Sequence, residues 1–225
     1  MVEMLDSFAG KLIISCQAPA DSPLHQPEMI AAIAQACVNQ GAVAVRIDSP
    51  AHIKAVRKVL PEIPIIGLWK RMYTGSDVYI TPQLSDAVAV VEAGADIVAI
   101  DATARPRYGG ENLAEIITGI QKQTGKLVMA DLDAYDNAVL AAKAGADILG
   151  TTLYGYTGET KNLTPPGFEL LEKLAQNFDL PIICEGGIGS PEMLKKAFAV
   201  GADSVVVGTA ITGVDLLAQR FLQAL

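Results

Sequence analysis

GADIVAIDA, residues 94–102, recurs as GADILGTTL at 145–153 and as GADSVVVGT at 201–209, and GAVAVRIDS at 41–49 is a looser copy. In each copy a Gly-Ala pair stops a helical pattern and a short run rich in β-branched residues starts at once. Glycine at a helix end accepts a left-handed backbone, and the small alanine lets the strand leave close to the helix. Successive copies lie two strand–helix units apart, so the chain divides into four similar quarters. The intervening runs complete a set of strand candidates at 11–18, 42–49, 63–70, 95–102, 126–133, 146–153, 181–188 and 202–209. Helical patterns lie near 28–40, 51–59, 82–93, 112–123, 135–144, 167–177, 191–200 and 214–223. Strands that are apolar on both faces and alternate with helices belong to a parallel, helix-covered sheet. Eight such units in one domain over residues 1–225 predict an α/β chain folded as a (β/α)8 TIM barrel rather than an open doubly wound sheet.

Of the 225 residues 51% are apolar and only 5% aromatic, so the core has to be built from Ala, Val, Ile and Leu. A formal charge of −8 disfavours nucleic acid or an anionic membrane as a general partner. Cys16, Cys37 and Cys184 cannot all pair and lack metal-finger spacing, which points to a reducing cytoplasm. The N-terminal MVEMLDSFAGK shows no basic-then-apolar leader pattern. No stretch is apolar for the ~18 residues that a membrane span needs. His25 and His52 are the only histidines and read as a loop and a helix-start residue, so no histidine-rich metal site is expected.

In a barrel of parallel strands the active site gathers at the C-terminal strand ends. Those ends carry Gln17, Arg46, Asp48, Lys70, Asp101, Asp131, Asp133 and Glu185. Side chains alternate along a strand, so Arg46 shares a face with Asp48 and Asp131 with Asp133, while Lys70 and Arg71 point opposite ways. Asp48 reads as a partner for Arg46, and Asp101 and Asp133 as solvated rim charges. Cys16 and Cys184 read as small apolar residues. Glycine loops follow the last two strands, EGGIGSPEML at 185–194 and VVGTAITG at 206–213. Ser190 suits an N-cap and Pro191 the first helical position. Loops after strands seven and eight of such barrels commonly hold a phosphate on backbone N–H groups, which predicts phosphate binding. The chain has no GxxxxGK[ST] or GxGxxG nucleotide element. PADSPLHQP (19–27) is either a lid or a plain loop.

SCQA (15–18), VRIDS (45–49), IIGLWKR (65–71), IDAT (100–103), ADLDAYDNA (130–138), GTTLYGYT (150–157), EGGI (185–188) and VVVGTAIT (205–212) occur in this order. Together they resemble the N-acylglucosamine-6-phosphate 2-epimerase family over nearly the whole chain. The resemblance implies interconversion of N-acetylmannosamine 6-phosphate and N-acetylglucosamine 6-phosphate, in sialic acid catabolism, with no metal or organic cofactor. The partner it implies is a small-molecule sugar phosphate, and it suggests a homodimer. Carried over by motif, the catalytic lysine falls on Lys70 and the catalytic carboxylate on Glu185. Gln17, Arg46 and Asp131 fall on substrate-contacting positions, and the phosphate on the backbone of Gly187, Gly208 and Thr209. Two residues depart from the family pattern. Tyr154 stands where a small residue is expected, narrowing a loop near the site. Gly213 stands where a basic residue is expected, weakening phosphate or C-terminal helix contacts.

Epimerisation at C2 has to remove and return a proton that is acidic only in the open-chain aldehyde. Lys70 is the candidate base, and its pKa must fall from the usual ~10.4. Arg46 and burial beside Trp69 would serve that end. Glu185, as candidate acid, needs a raised pKa from burial or from Asp131. Arg46 and Gln17 are placed to polarise the carbonyl or hold the N-acetyl group. Three alternatives use the same barrel: a Schiff-base aldolase with Lys70 attacking a phosphorylated keto acid, a metal-dependent pentulose-phosphate epimerase, and a non-catalytic sugar-phosphate sensor. The two histidines argue against the second, and the presence of both Lys70 and Glu185 against the third.

Overall fold

Each Gly-Ala joint of the repeat is a helix end at the bottom of a closed barrel in the computed structural model, which describes residues 2–225. Met1, where the N-terminal reading begins, lies outside the described residues. Eight parallel strands pair in chain order: β1 (Lys11–Cys16), β2 (Ala44–Asp48), β3 (Ile65–Leu68), β4 (Ile97–Asp101), β5 (Leu127–Asp131), β6 (Ile148–Gly150), β7 (Ile182–Glu185) and β8 (Ser204–Val207). Closure comes from β1 against β8, with Lys11 opposite Ser204 and Ile14 opposite Val207. The predicted helices are all present: α2 (Pro27–Asn39), α3 (Pro50–Val59), α4 (Leu84–Glu92), α5 (Leu113–Thr124), α6 (Tyr135–Lys143), α7 (Phe168–Asn177), α8 (Pro191–Val200) and α10 (Val214–Leu222). Two short helices, α1 (Val2–Asp6) and α9 (Thr209–Thr212), have no counterpart in the patterns, being too short for a periodic signature.

The repeat has a purpose beyond turning the chain. Gly41, Gly94, Gly145 and Gly201 all take positive φ, between 93° and 116°. The aspartates that follow three of them clamp the strand before. Asp96, Asp147 and Asp203 donate their N–H to the carbonyls of Ile65, Val128 and Ile182 at 3.0, 3.0 and 2.9 Å. Their carboxylates accept the N–H of the same three residues at 3.0, 2.8 and 2.7 Å. Val43 holds this place in the first quarter and makes only the backbone bond, to Leu12 at 3.2 Å.

Alternation along the strands splits the core in two. Ile14, Val45, Ile65, Val98 and Val128 pack outward against the helices. Ile13, Ile66, Ile97, Met129, Ile148, Ile183 and Val206 fill the barrel, and Phe8, just ahead of β1, closes its lower end. Each such side chain contributes about 1.5–3 kcal/mol on burial. The same inward register, carried upward, delivers Arg46, Asp101, Asp131 and Glu185 to the mouth. Segment 19–27 packs as a loop: Ser22 donates to Asp215 at 2.8 Å, and His25 meets His52 edge-on at 4.7 Å.

Asp147→Ala removes the acceptor of the Val128 N–H and of Gln121. It is expected to lower stability by about 1–3 kcal/mol, seen as a lower urea midpoint, while Asp147→Asn, which keeps one acceptor oxygen, recovers most of the loss.

Candidate active site

Arg46 lies on the inward face of β2 and is only 1% exposed. Its Nη2 meets Asp131 Oδ2 at 2.7 Å, while Nη1 meets Asp131 Oδ1 at 3.0 Å and Glu185 Oε2 at 2.9 Å. Burial opposes the guanidinium charge, but Asp131 and Glu185 outweigh it and raise the pKa. Asp131 is fully buried, and its Oδ1 also accepts from the Thr152 hydroxyl at 2.6 Å. Both oxygens are therefore engaged, and Asp131 with Arg46 forms the floor of the mouth. Gly150, opposite Asp131 on β6, leaves the space that Met129 fills, since a Cβ there would lie 2.5 Å from the Met129 methyl.

Lys70 stands two residues past β3, on a segment that folds back so that Lys70 bridges Ile80 antiparallel. The Asp48 carboxylate accepts its N–H at 2.9 Å, and Gln17 Oε1 accepts from its Nζ at 2.5 Å. The side chain is reached by solvent through the open mouth, yet protein atoms crowd the ammonium and draw its pKa down. Asp48 opposes this, Arg46 reinforces it, and Glu185 and Asp131 oppose it more weakly. Glu185 ends β7 with its side chain 12% exposed. Burial, helped by Asp131 and resisted by Arg46 and Lys70, pushes its carboxyl up to about 7. Lys70 and Gln17 thus share one mouth with Arg46, Asp131 and Glu185, whose charges act on the Lys70 ammonium.

Other expectations need correction. Asp48 serves Lys70 rather than Arg46. Trp69 packs outward against the helix-side core with Arg71 over its ring at 4.6 Å, so it does not desolvate Lys70. Arg71, pairing outside with Asp86 at 2.7 Å, does turn away from Lys70. Asp101 is not a solvated rim charge: it is fully buried, bound by Thr103 and by Arg105. Asp133 is 1% exposed and lies past the end of β5, where Asn137 and Thr157 donate to it at 2.6 and 2.7 Å. It does not share the inward face of Asp131. Tyr154 packs against Gly167 and the outer core, away from the mouth. Gly213 forms the corner between α9 and α10, where a Cβ would lie 2.8 Å from the Thr209 carbonyl oxygen.

The glycine loops lie side by side, since Glu185 pairs with Val206 and Gly187 and Gly208 each follow two residues later. Gly187 takes φ 72°, and a Cβ there would lie 2.5 Å from Pro165. Gly208 precedes α9, whose first residue is Thr209. The N–H groups of Gly187, Gly208 and Thr209 make no hydrogen bond among the described residues, leaving donors free for an anion. Ser190 caps α8 by accepting the Met193 N–H, with Pro191 first in the helix, as expected.

Three residues with no assigned role join the mouth. Thr152 continues the inward alternation of Ile148 and Gly150, a signal present in the sequence. Tyr156, beside Gly186, feels the Glu185 charge. Tyr79 sits on the fold-back segment, its phenol raised by burial and by Asp131 and Asp101; nothing periodic marks it. Among the described residues no three His, Cys, Asp or Glu side chains converge as metal ligands, and no helix is long and apolar enough to cross a membrane.

A family model described as "Putative N-acetylmannosamine-6-phosphate epimerase" matches residues 30–225. A protein of Synechococcus elongatus named "Putative N-acetylmannosamine-6-phosphate 2-epimerase" is 57% identical over 224 residues, covering 99% of this chain and 97% of its own. One of the same name from Clostridioides difficile is 42% identical, with 99% of each chain covered. The solved N-acetylmannosamine-6-phosphate 2-epimerase of Clostridium perfringens superposes with a TM-score of 0.94 at 40% identity, covering 99% of this chain and 96% of that one.

Glu185 titrates near 7 when folded but in the ordinary range near 4.5 when unfolded, so between these values the folded protein holds a proton that the unfolded chain releases. Stability from this group is full below the lower value and is lost as pH rises through the upper one. Glu185→Gln, which does not titrate, is expected to lose less stability than wild type between pH ~5 and ~8, read from urea midpoints.

Proposed function

Because this chain belongs to the N-acetylmannosamine-6-phosphate epimerase family, we propose that it interconverts N-acetylmannosamine 6-phosphate and N-acetylglucosamine 6-phosphate by moving the proton on C2. One observation carries the reading. Lys70, with its pKa drawn down, and Glu185, with its pKa pushed up, face one mouth around a single buried guanidinium. Environments that drive two titrating groups in opposite directions at one site suit an acid and a base.

In the proposed reaction the open-chain sugar enters with its phosphate on the N–H groups of Gly187, Gly208 and Thr209. That remote binding positions C2. Neutral Lys70 takes the C2 proton, and the electron pair passes to the aldehyde oxygen as an enolate. Arg46, from the floor, lends its positive field to that charge, and the Gln17 amide holds a polar group of the sugar. Protonated Glu185 then returns a proton to the opposite face of C2. Lys70 ends as ammonium and Glu185 as carboxylate, and exchange with solvent resets both. In the reverse direction Glu185 takes the proton and Lys70 supplies it. Side chains carry every step, with no metal or organic cofactor.

The same reading sets the enzyme in amino-sugar catabolism in a reducing cytoplasm, in keeping with three free cysteines. It also makes the protein a homodimer. The C-terminal α10 buries none of its residues within the chain and leaves Val214, Phe221 and Leu222 exposed on an apolar stripe that a second copy would cover.

Proton NMR of N-acetylmannosamine 6-phosphate with the enzyme in D2O and a chelator is expected to show N-acetylglucosamine 6-phosphate carrying deuterium at C2. Lys70→Ala and Glu185→Ala are each expected to fold and to lose ~10²-fold or more in turnover, and near-normal turnover in either would sink its assignment. Trapping of a substrate adduct by borohydride would favour the aldolase instead. Light scattering is expected to give about twice the 23.6 kDa of one chain, and a monomer would remove the dimer.

A further inference from the structure

The Lys70 amine hangs on a short chain of contacts that leads back into β1. Among the described residues its Nζ makes a single hydrogen bond, to Gln17 Oε1 at 2.5 Å. The Gln17 amide makes a single other, from Nε2 to Ser15 Oγ at 3.0 Å. An ammonium carries donors only, so the amide oxygen faces Lys70 and the amide nitrogen is left for Ser15, whose oxygen accepts. Gln17 lies just past the end of β1 and is half-buried, so strand pairing does not fix its side chain.

Ser15, by contrast, is fixed by its surroundings. It lies on β1 between the inward Ile13 and Gln17, on the face opposite the outward Cys16, and is only 7% exposed. It pairs with Arg46 across to β2. The buried Thr212 of α9 donates its hydroxyl to the Ser15 carbonyl at 2.8 Å.

We propose that Ser15 is a positioning residue for the epimerisation: by holding the Gln17 amide it sets where Gln17 Oε1 stands, and so where Lys70 Nζ meets the sugar. The proposal rests on the reading of Lys70 as the base at C2. Lysine carries its amine on a long flexible stem, and the glutamine amide is hardly less mobile. Ser15 is the rigid member of the three, and a misplacement of ~1 Å in a reacting group can cost ~10²-fold in rate. The Ser15 proton has no acceptor among the described residues, so direct contact with the sugar is the rival role. A direct contact would not depend on Gln17.

Steady-state kinetics for wild type, Ser15→Ala, Gln17→Ala and the variant carrying both changes test this. Ser15→Ala is expected to lose about tenfold in kcat with KM within about twofold. Gln17→Ala is expected to lose at least as much. Adding Ser15→Ala to it should cost no more than about a further twofold, because a residue that acts through Gln17 then has nothing left to act on. The proposal is overturned if either single variant keeps the wild-type kcat, if Ser15→Ala changes KM alone, or if the further loss exceeds that twofold. Should Ser15→Ala not fold, Ser15→Cys, whose sulfur accepts only weakly, takes its place under the same criteria. A wild type that does not epimerise, or a Lys70→Ala variant that does so normally, overturns the reading of Lys70 itself, a separate and recognisable result.

Discussion

A guanidinium sealed inside a barrel has to be neutralised where it lies, and much of the upper half of this protein follows from that requirement. Arg46 fills space that an isoleucine or leucine occupies lower down, so the layer above Ile66 and Ile97 is polar by necessity. Two carboxylates from strands on the far side of the barrel answer it, tying β2 to β5 and β7. Removing one partner of such a pair leaves an uncompensated buried charge, a loss of about 3–5 kcal/mol, which fixes all three residue types together. The arrangement is asymmetric, because Asp131 takes two guanidinium contacts and Glu185 one. Glu185 is the less satisfied of the two, and burial pushes its carboxyl up to about 7. Electrostatic balance around one cation thus also prepares a group that can change its proton near neutral pH.

The two ends of the barrel divide the work. At the bottom, Asp96, Asp147 and Asp203 satisfy strand-start N–H groups that would otherwise have no partner, and none of them reaches the interior. At the top, glycines leave backbone donors uncovered, and irregular segments bring Lys70, Gln17 and Tyr79 over the floor. Acidic residues serve both ends, but at the bottom they accept backbone hydrogen bonds and at the top they hold a cation and a lysine backbone.

Strand–helix alternation and the Gly-Ala joints were legible because each is a short-range pattern with a physical cause. Gln17, Arg46, Lys70, Asp131 and Glu185 were legible as polar residues at the C-terminal strand ends, and the motif resemblance singled them out from the others there. Misreadings fall where strands end. Asp133 lies beyond the last paired residue of β5, where alternation no longer dictates direction, and it meets Asn137 and Thr157 instead of joining Asp131. Asp48 lies on the expected face, but its partner is the Lys70 N–H, a backbone group that no side-chain pattern announces. Asp101 resembles a rim charge until Arg105, four residues on, folds back to cover it. Thr152 followed an alternation already visible in Ile148 and Gly150.

The first quarter differs from the other three in lacking the aspartate clamp, with Val43 in its place. The start of β1 is fastened instead by the last quarter: Gly10 donates to the Asp203 carbonyl at 2.8 Å, and the Ser204 hydroxyl donates to the Lys11 carbonyl at 2.9 Å. A chain emerging from the ribosome therefore has only β2 to hold its first strand until the eighth has been made. The interior quarters can begin to dock as they appear, but the seam between the two ends closes only once nearly the whole polypeptide has been translated.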